Sequence, residues 1–196
     1  MAHGTLDVLG GGVHAGFDAF SFEVGTTNGD GDVTGVANVN GGVSGYGTLQ
    51  LGVARGTSHG GNAQGTLNVV GTVLGTNTGN VLVGDASGQG NANGTLGVSG
   101  DLGGFTGVTV ASANLLSTGN ATGDLTVGGM LSSSGPGSFT VGLTGSQGNA
   151  TGTAQVGGAV TGFNLVGIGL GGTDTGPAAM AHGTLDVLGG GVHAGF

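Results

Sequence analysis

Cysteine, lysine and tryptophan are absent from this 196-residue chain, which holds a single arginine, Arg55, a single tyrosine, Tyr46, and two prolines. Each scarcity closes a door. Without cysteine there are no disulfides and no thiolate metal centre. One basic residue against ten acids gives a formal net charge of −9, so the chain cannot neutralise phosphates, and nucleic-acid partners are excluded. Anionic membranes should repel it, and divalent cations are the small partners such a charge favours. Without lysine there is no P-loop. The G-x-G-x-x-G match GIGLGG at 167–172 carries no weight in so glycine-rich a chain, because no βαβ pattern surrounds it. Long hydrophobic runs are also missing. The most apolar stretch, Ala159 to Leu170, is too short and too glycine-rich to span a bilayer, so no membrane insertion is expected. The first residues lack a basic segment followed by an apolar run, so any export signal is expected outside this segment.

Glycine is what the chain has in abundance, with 53 residues. It does not recur at every third position and proline is scarce, which excludes collagen. Hydrophobic residues make up 36% of the chain, enough apolar surface to drive folding rather than disorder. A regular fold of short strands and glycine turns remains.

Internal repetition specifies that fold. Residues 1–17, MAHGTLDVLGGGVHAGF, return unchanged as residues 180–196, an offset of 179. Between them runs a shorter degenerate period. Coils start at Gly4, Gly35, Gly65, Gly94, Gly123, Gly152 and Gly183, giving six lengths of 29–31 residues and the opening of a seventh coil. The third and fifth residues of the coils are Leu6/Val8, Ala37/Val39, Leu67/Val69, Leu96/Val98, Leu125/Val127, Ala154/Val156 and Leu185/Val187. Polar or small residues alternate with them, the period of a strand with one buried face. Glycine holds the seventh place in every coil, from Gly10 through Gly100 to Gly189, which marks a corner needing positive φ or close backbone approach. Apolar residues follow at Val43, Val73, Leu102, Leu131 and Val160. A later strand appears as FSFEV at 20–24, LQLGV at 49–53, VLV at 81–83, VTV at 108–110 and FTV at 139–141.

A unit of about 29 residues cannot bury its inner face alone. Stacked coils place Leu over Leu and Val over Val, and each strand pairs with its equivalents about 4.8 Å above and below. The expected architecture is therefore all-β: one continuous parallel β-solenoid over residues 1–196. The crossover rule favours a right-handed winding. Asn62, Asn91, Asn120 and Asn149 recur at intervals of 29, each in a Gly-Asn-Ala turn, and are expected to form an axial amide ladder. Asp32 and Met180 hold the equivalent places in neighbouring coils, so the ladder is expected to break there.

Units such as GNAQGTLNVVGTV, GNANGTLGVSGDL and GNATGDLTVGGML resemble the Gly-rich β-solenoid repeats of secreted bacterial surface proteins, such as autotransporter passengers and large adhesins. The resemblance spans the whole chain and implies an extracellular or cell-surface location. It speaks for architecture more than activity, since such scaffolds serve adhesion, display or matrix building.

Candidate chemistry is sparse. Asn28, Asp30 and Asp32, alternating with glycine, could wrap Ca²⁺ like the front half of a calcium loop, although the distal Glu is missing and the motif does not recur. His3, His14 and His59, with the copies His182 and His193, show no ligand spacing. Asp7, Asp18, Glu23, Asp85, Asp101, Asp124 and Asp174 fall mostly at different coil phases, so no catalytic carboxylate cluster is expected and the chain reads as a non-enzyme. A threonine column at Thr5, Thr66, Thr95, Thr153 and Thr184 is interrupted by Val36 and Asp124. The Thr-x-Thr pairs Thr76/Thr78, Thr151/Thr153 and Thr173/Thr175 are out of phase, which argues against ice binding. Aromatic and arginine anchors are nearly absent, and a surface of Gly, Thr, Ser, Asn and Ala suits self-packing. No helix, proline cluster or charged run caps either end, so the chain reads as a window of a longer array. The expected function is a structural segment of an extracellular fibre, sheath or stalk that associates with itself; an adhesin or passenger domain binding host or glycan ligands is the alternative.

Overall fold

The computed structural model describes residues 1–56, 60–114, 117–145, 147–171 and 179–194, with the side chains of residues 16–20 and 194 set aside. Among the described residues there is no helix; the chain is sixteen strands, every pairing parallel, wound into a β-solenoid of about six turns. One sheet has seven strands in strict chain order: β1 (Ala2–Val8), β3 (Val33–Asn40), β5 (Ala63–Val70), β8 (Ala92–Val98), β11 (Ala121–Val127), β13 (Ala150–Val156) and β15 (Ala181–Val187). Its register places Gly4, Gly35, Gly65, Gly94, Gly123, Gly152 and Gly183 in one column, the coil phase read from the sequence.

The other sheet carries the rest of each turn: β2 (Val13–Thr27), β4 (Val43–Ala54), β6 (Val73–Gly75), β7 (Asn80–Ala86), β9 (Leu102–Phe105), β10 (Gly107–Ala113), β12 (Leu131–Thr144), β14 (Val160–Gly171) and β16 (Val192–Ala194). The long strands β2, β4, β12 and β14 run through a bend that appears as register shifts in their pairings. In the third and fourth coils the same bend splits the run into β6 with β7 and β9 with β10. Beyond the bend, Phe22, Leu49, Val81, Val108, Phe139 and Val166 form one column.

Inward positions build a continuous core. Leu67, Val69, Leu96, Val98, Leu125 and Val127 are each 3% exposed or less, as the alternation predicts. Phe105, Phe139 and Phe163 fill the wider side near the bend. A separate core is made of alanine alone: Ala54, Ala86 and Ala113 at the end of one strand column lie against Ala63, Ala92, Ala121 and Ala150 at the start of the next. Only methyl groups fit there, because the walls converge. At both ends of the Ala54–Ala86–Ala113 column threonine takes over, as Thr27 and Thr144, with the hydroxyls donating to the turn carbonyls of Gly31 and Gly148 at 3.1 and 2.7 Å.

The convergence is set by two facing glycine columns. A methyl group on Gly65 would lie 2.0 Å from the Val24 carbonyl oxygen, and one on Gly94 would lie 2.4 Å from that of Leu51. Opposite stand Gly25, Gly52, Gly84, Gly142 and Gly169, all at φ between 59° and 73°. A methyl on Gly84 would lie 1.8 Å from the Thr122 carbonyl oxygen. Ala111 occupies the same column, fully buried and at φ 60°. The seventh-place corner glycines serve another need. Gly100, Gly129 and Gly158 donate to the carbonyls of Gly71, Gly100 and Gly129 at 2.8–2.9 Å, so close approach along the axis accounts for them, and positive φ is confined to Gly41 and Gly71 in that column.

Gly84→Ala forces both a left-handed φ and a backbone overlap, and we expect it to cost about 2–4 kcal/mol. Ala111→Gly and Ala113→Gly each delete one buried methyl, but the former also releases left-handed strain. Ala111→Gly should therefore be the milder change by about 1–2 kcal/mol, measured by urea unfolding.

Candidate functional site

The most ordered polar feature is the corner where each coil enters the first sheet. In each Gly-Asn-Ala turn the alanine N–H donates to the asparagine carbonyl of the next coil: Ala63 to Asn91, Ala92 to Asn120 and Ala121 to Asn149, at 2.8–2.9 Å. The asparagines reach the opposite way. Asn91 donates its backbone N–H and its Nδ2 to Asn62 Oδ1, both at 3.1 Å, and Asn120 does the same to Asn91 Oδ1 at 3.0 and 3.3 Å. The Asn149 backbone N–H donates to Asn120 Oδ1 at 3.0 Å. Every coil is thus stitched to its neighbours in both directions.

Asp32 corrects one expectation: the ladder does not break there. Its Oδ1 accepts from the Asn62 backbone N–H at 2.8 Å and from Asn62 Nδ2 at 3.0 Å. The rung needs only an acceptor on that side, and a carboxylate is a better acceptor than an amide. These bonds hold the Asp32 carboxyl below the usual aspartate range. At Met180 the side-chain ladder does stop, yet the Met180 N–H still donates to Asn149 Oδ1 at 2.9 Å.

Of the calcium candidates, Asp32 is therefore committed to the ladder, while Asn28 and Asp30 are exposed. The carbonyls of Gly29 and Gly31 in the same loop accept from Thr27 Oγ1 at 3.3 and 3.1 Å. Among the described residues no three His, Asp or Glu side chains come together. His14 bonds Ser44 Oγ and the Gly11 carbonyl, each at 2.8 Å, and its copy His193 makes the equivalent contact with the Gly190 carbonyl. His59, Gly172, Thr173, Asp174 and Thr175 lie outside the described residues, as does the side chain of Asp18.

Two arrangements escaped sequence reading. One is a mixed column on the outer face of the first sheet, where Asn38 Nδ2 donates to Asp7 Oδ1 at 2.8 Å and Asn68 Nδ2 donates to Asn38 Oδ1 at 2.9 Å. The other surrounds Asp85, which is 5% exposed. Asn114 Nδ2 donates to Asp85 Oδ1 at 2.9 Å, Ser112 pairs beside it, and Arg55, bonded to Gln50, faces the same group. Burial pushes the Asp85 carboxyl above the usual range, against the opposing pull of Ser112, Arg55 and Asn114. Neither arrangement repeats one residue type, so a search for identical columns passes over both.

Alongside the amide ladder runs an open groove of about 590 Å³, lined in part by Asn62, Gln64, Asn91, Asn93, Asn120 and Thr122. No protein-family model matches the chain, and no curated protein or solved structure matches it.

Two outcomes follow. Asn91→Ala removes a rung on both sides and should cost about 0.5–1.5 kcal/mol in equilibrium unfolding. Asp85, raised in the folded state, gives most stability below the ordinary aspartate range, and that contribution is lost as pH rises through its elevated value. Asp32, lowered, works in reverse: its contribution is present above the ordinary value and is lost as pH falls through the depressed one. Asp85→Asn should therefore raise the melting temperature at neutral pH and leave it unchanged or lower in acid, in a melting series across pH.

Proposed function

We propose that this chain is a structural repeat segment of an extracellular bacterial fibre, sheath or stalk, continued by β-stacking from unit to unit and without catalytic activity. One observation carries the reading. The strand AHGTLDV occurs twice, and its two copies make, between them, both pairings that a junction of tandem units requires. As β15 it pairs with β13 on one side, Ala181 against Ala150 through Val187 against Val156. As β1 it pairs with β3 on the other, Ala2 against Val33 through Val8 against Val39. Joining unit to unit at the offset of 179 residues therefore needs no contact that the solenoid does not already contain. The nearly uncharged exterior and the scarcity of aromatic anchors support the same reading.

The groove beside the amide ladder favours a second reading, an adhesin or passenger domain. Its volume of about 590 Å³ lies within the range of small-ligand sites, and amides and hydroxyls line it as a carbohydrate would require. Glycan-array binding that is lost in a Gln64→Ala, Asn93→Ala variant would move this reading to first place.

A chain of two tandem units should form one uninterrupted solenoid. Fibre diffraction of aligned material is expected to show about 4.8 Å between coils and an axial repeat of about 29 Å, six coils long. Two independent bodies joined by a flexible hinge, seen by small-angle scattering, would overturn the fibre reading.

A further inference from the structure

We propose that the aspartate of the duplicated strand, Asp7 in one copy and Asp186 in the other, dictates how units join: it admits a strand that presents an amide and rejects a second copy of its own strand. The inference rests on the tandem reading above, and the occupant of the edge is a second unit of this sequence. Apolar patterning alone would not discriminate. If β15 of one molecule met β1 of another in register, Gly183 would lie over Gly4, Leu185 over Leu6 and Val187 over Val8. These are the like-on-like columns of the interior, where Leu96 lies over Leu67. The open edge is also receptive, since Leu6 is 44% exposed. Such blunt stacking of finished molecules would compete with tandem continuation.

Aspartate breaks the tie. An ionised carboxylate accepts hydrogen bonds and cannot donate them. In the solenoid it has amide neighbours: Asn38 Nδ2 donates to Asp7 Oδ1 at 2.8 Å, and Asp186 sits in register with Gln155. At a tandem junction the same aspartate lies between a Gln155 equivalent and an Asn38 equivalent, and both can donate. In a blunt stack Asp186 lies over Asp7, two acceptor-only anions about 4.8 Å apart. The chain has no lysine, and its single arginine, Arg55, is engaged with Gln50 in another strand. His182 would lie over His3, so no donor of opposite charge enters this column. Like charges stacked on a sheet edge oppose pairing there without disturbing the strand's bonds within its own molecule.

The test uses the 196-residue chain at neutral pH and about 0.1 M salt, where the screening length is about 10 Å. Asp7→Asn with Asp186→Asn keeps an acceptor oxygen for Asn38, so the fold and its melting temperature should persist. Sedimentation velocity should show this variant associating at concentrations at least about tenfold below those needed by the wild type. Electron microscopy should show axial growth. Asp30→Asn with Asp124→Asn removes the same net charge away from the edges and should behave as the wild type. Equal association of the wild type and the edge variant, association of the control to the same degree, or an edge variant that stays monomeric would each overturn the assignment. None of these results would alter the axial repeat of a covalent two-unit chain, which tests the fibre reading separately.

Discussion

The cross-section of this solenoid is set by backbone meeting backbone. Where Gly65, Gly94, Gly123, Gly152 and Gly183 face the column of Gly25, Gly52, Gly84 and Gly142, the two walls are close enough for a single methyl group to strike a carbonyl oxygen. The consequences spread outward. On one side of the pinch only alanine fits, which produces the methyl-lined second core; on the other the walls diverge and phenylalanine fills the space. The first sheet stays in unbroken register over seven strands, and the bends and bulges are left to the other sheet, where loop length varies between coils. Much of the chain's glycine is thus demanded by steric closure, and the rest by corners and turns.

This constraint also explains what could be read in advance. Coil starts at Gly35, Gly65, Gly94 and beyond recur at nearly constant spacing because the first sheet admits no insertion, and Leu96 and Val98 alternate there with polar neighbours. The facing column was hidden. Its members lie 27, 32, 27, 31 and 27 residues apart, since each coil reaches the pinch through a bend of its own length, and Ala111 interrupts the glycine pattern. Spacing reveals a column only where the intervening arc is fixed. The calcium expectation at Asn28, Asp30 and Asp32 drew on local sequence alone, whereas the role of Asp32 is fixed by a residue thirty positions on, Asn62.

Ladder chemistry shows why residue type can mislead where hydrogen-bonding role does not. In both side-chain ladders the donors point toward the earlier coil: Asn62 to Asp32, Asn91 to Asn62, Asn120 to Asn91, and likewise Asn38 to Asp7 and Asn68 to Asn38. A ladder of this polarity needs an acceptor with no duty to donate at its first rung, and aspartate fills that place in both. An acid among amides, which looked like an interruption, is a terminator with a definite direction.

Direction matters because a one-dimensional stack spends its stability unevenly. An interior coil is covered on both sides and an end coil on one, and the difference is visible in equivalent residues: Leu96 is 1% exposed and Leu6 is 44% exposed. Each added unit converts an end coil into an interior one, so stability per coil rises with length. The same edge that profits from continuation would accept any strand of matching pattern, since backbone pairing is indifferent to which molecule supplies it. A fibre built this way therefore needs its selectivity outside the core, in the polar columns. There a single carboxylate can leave the apolar stack undisturbed and still decide which strand is allowed to follow.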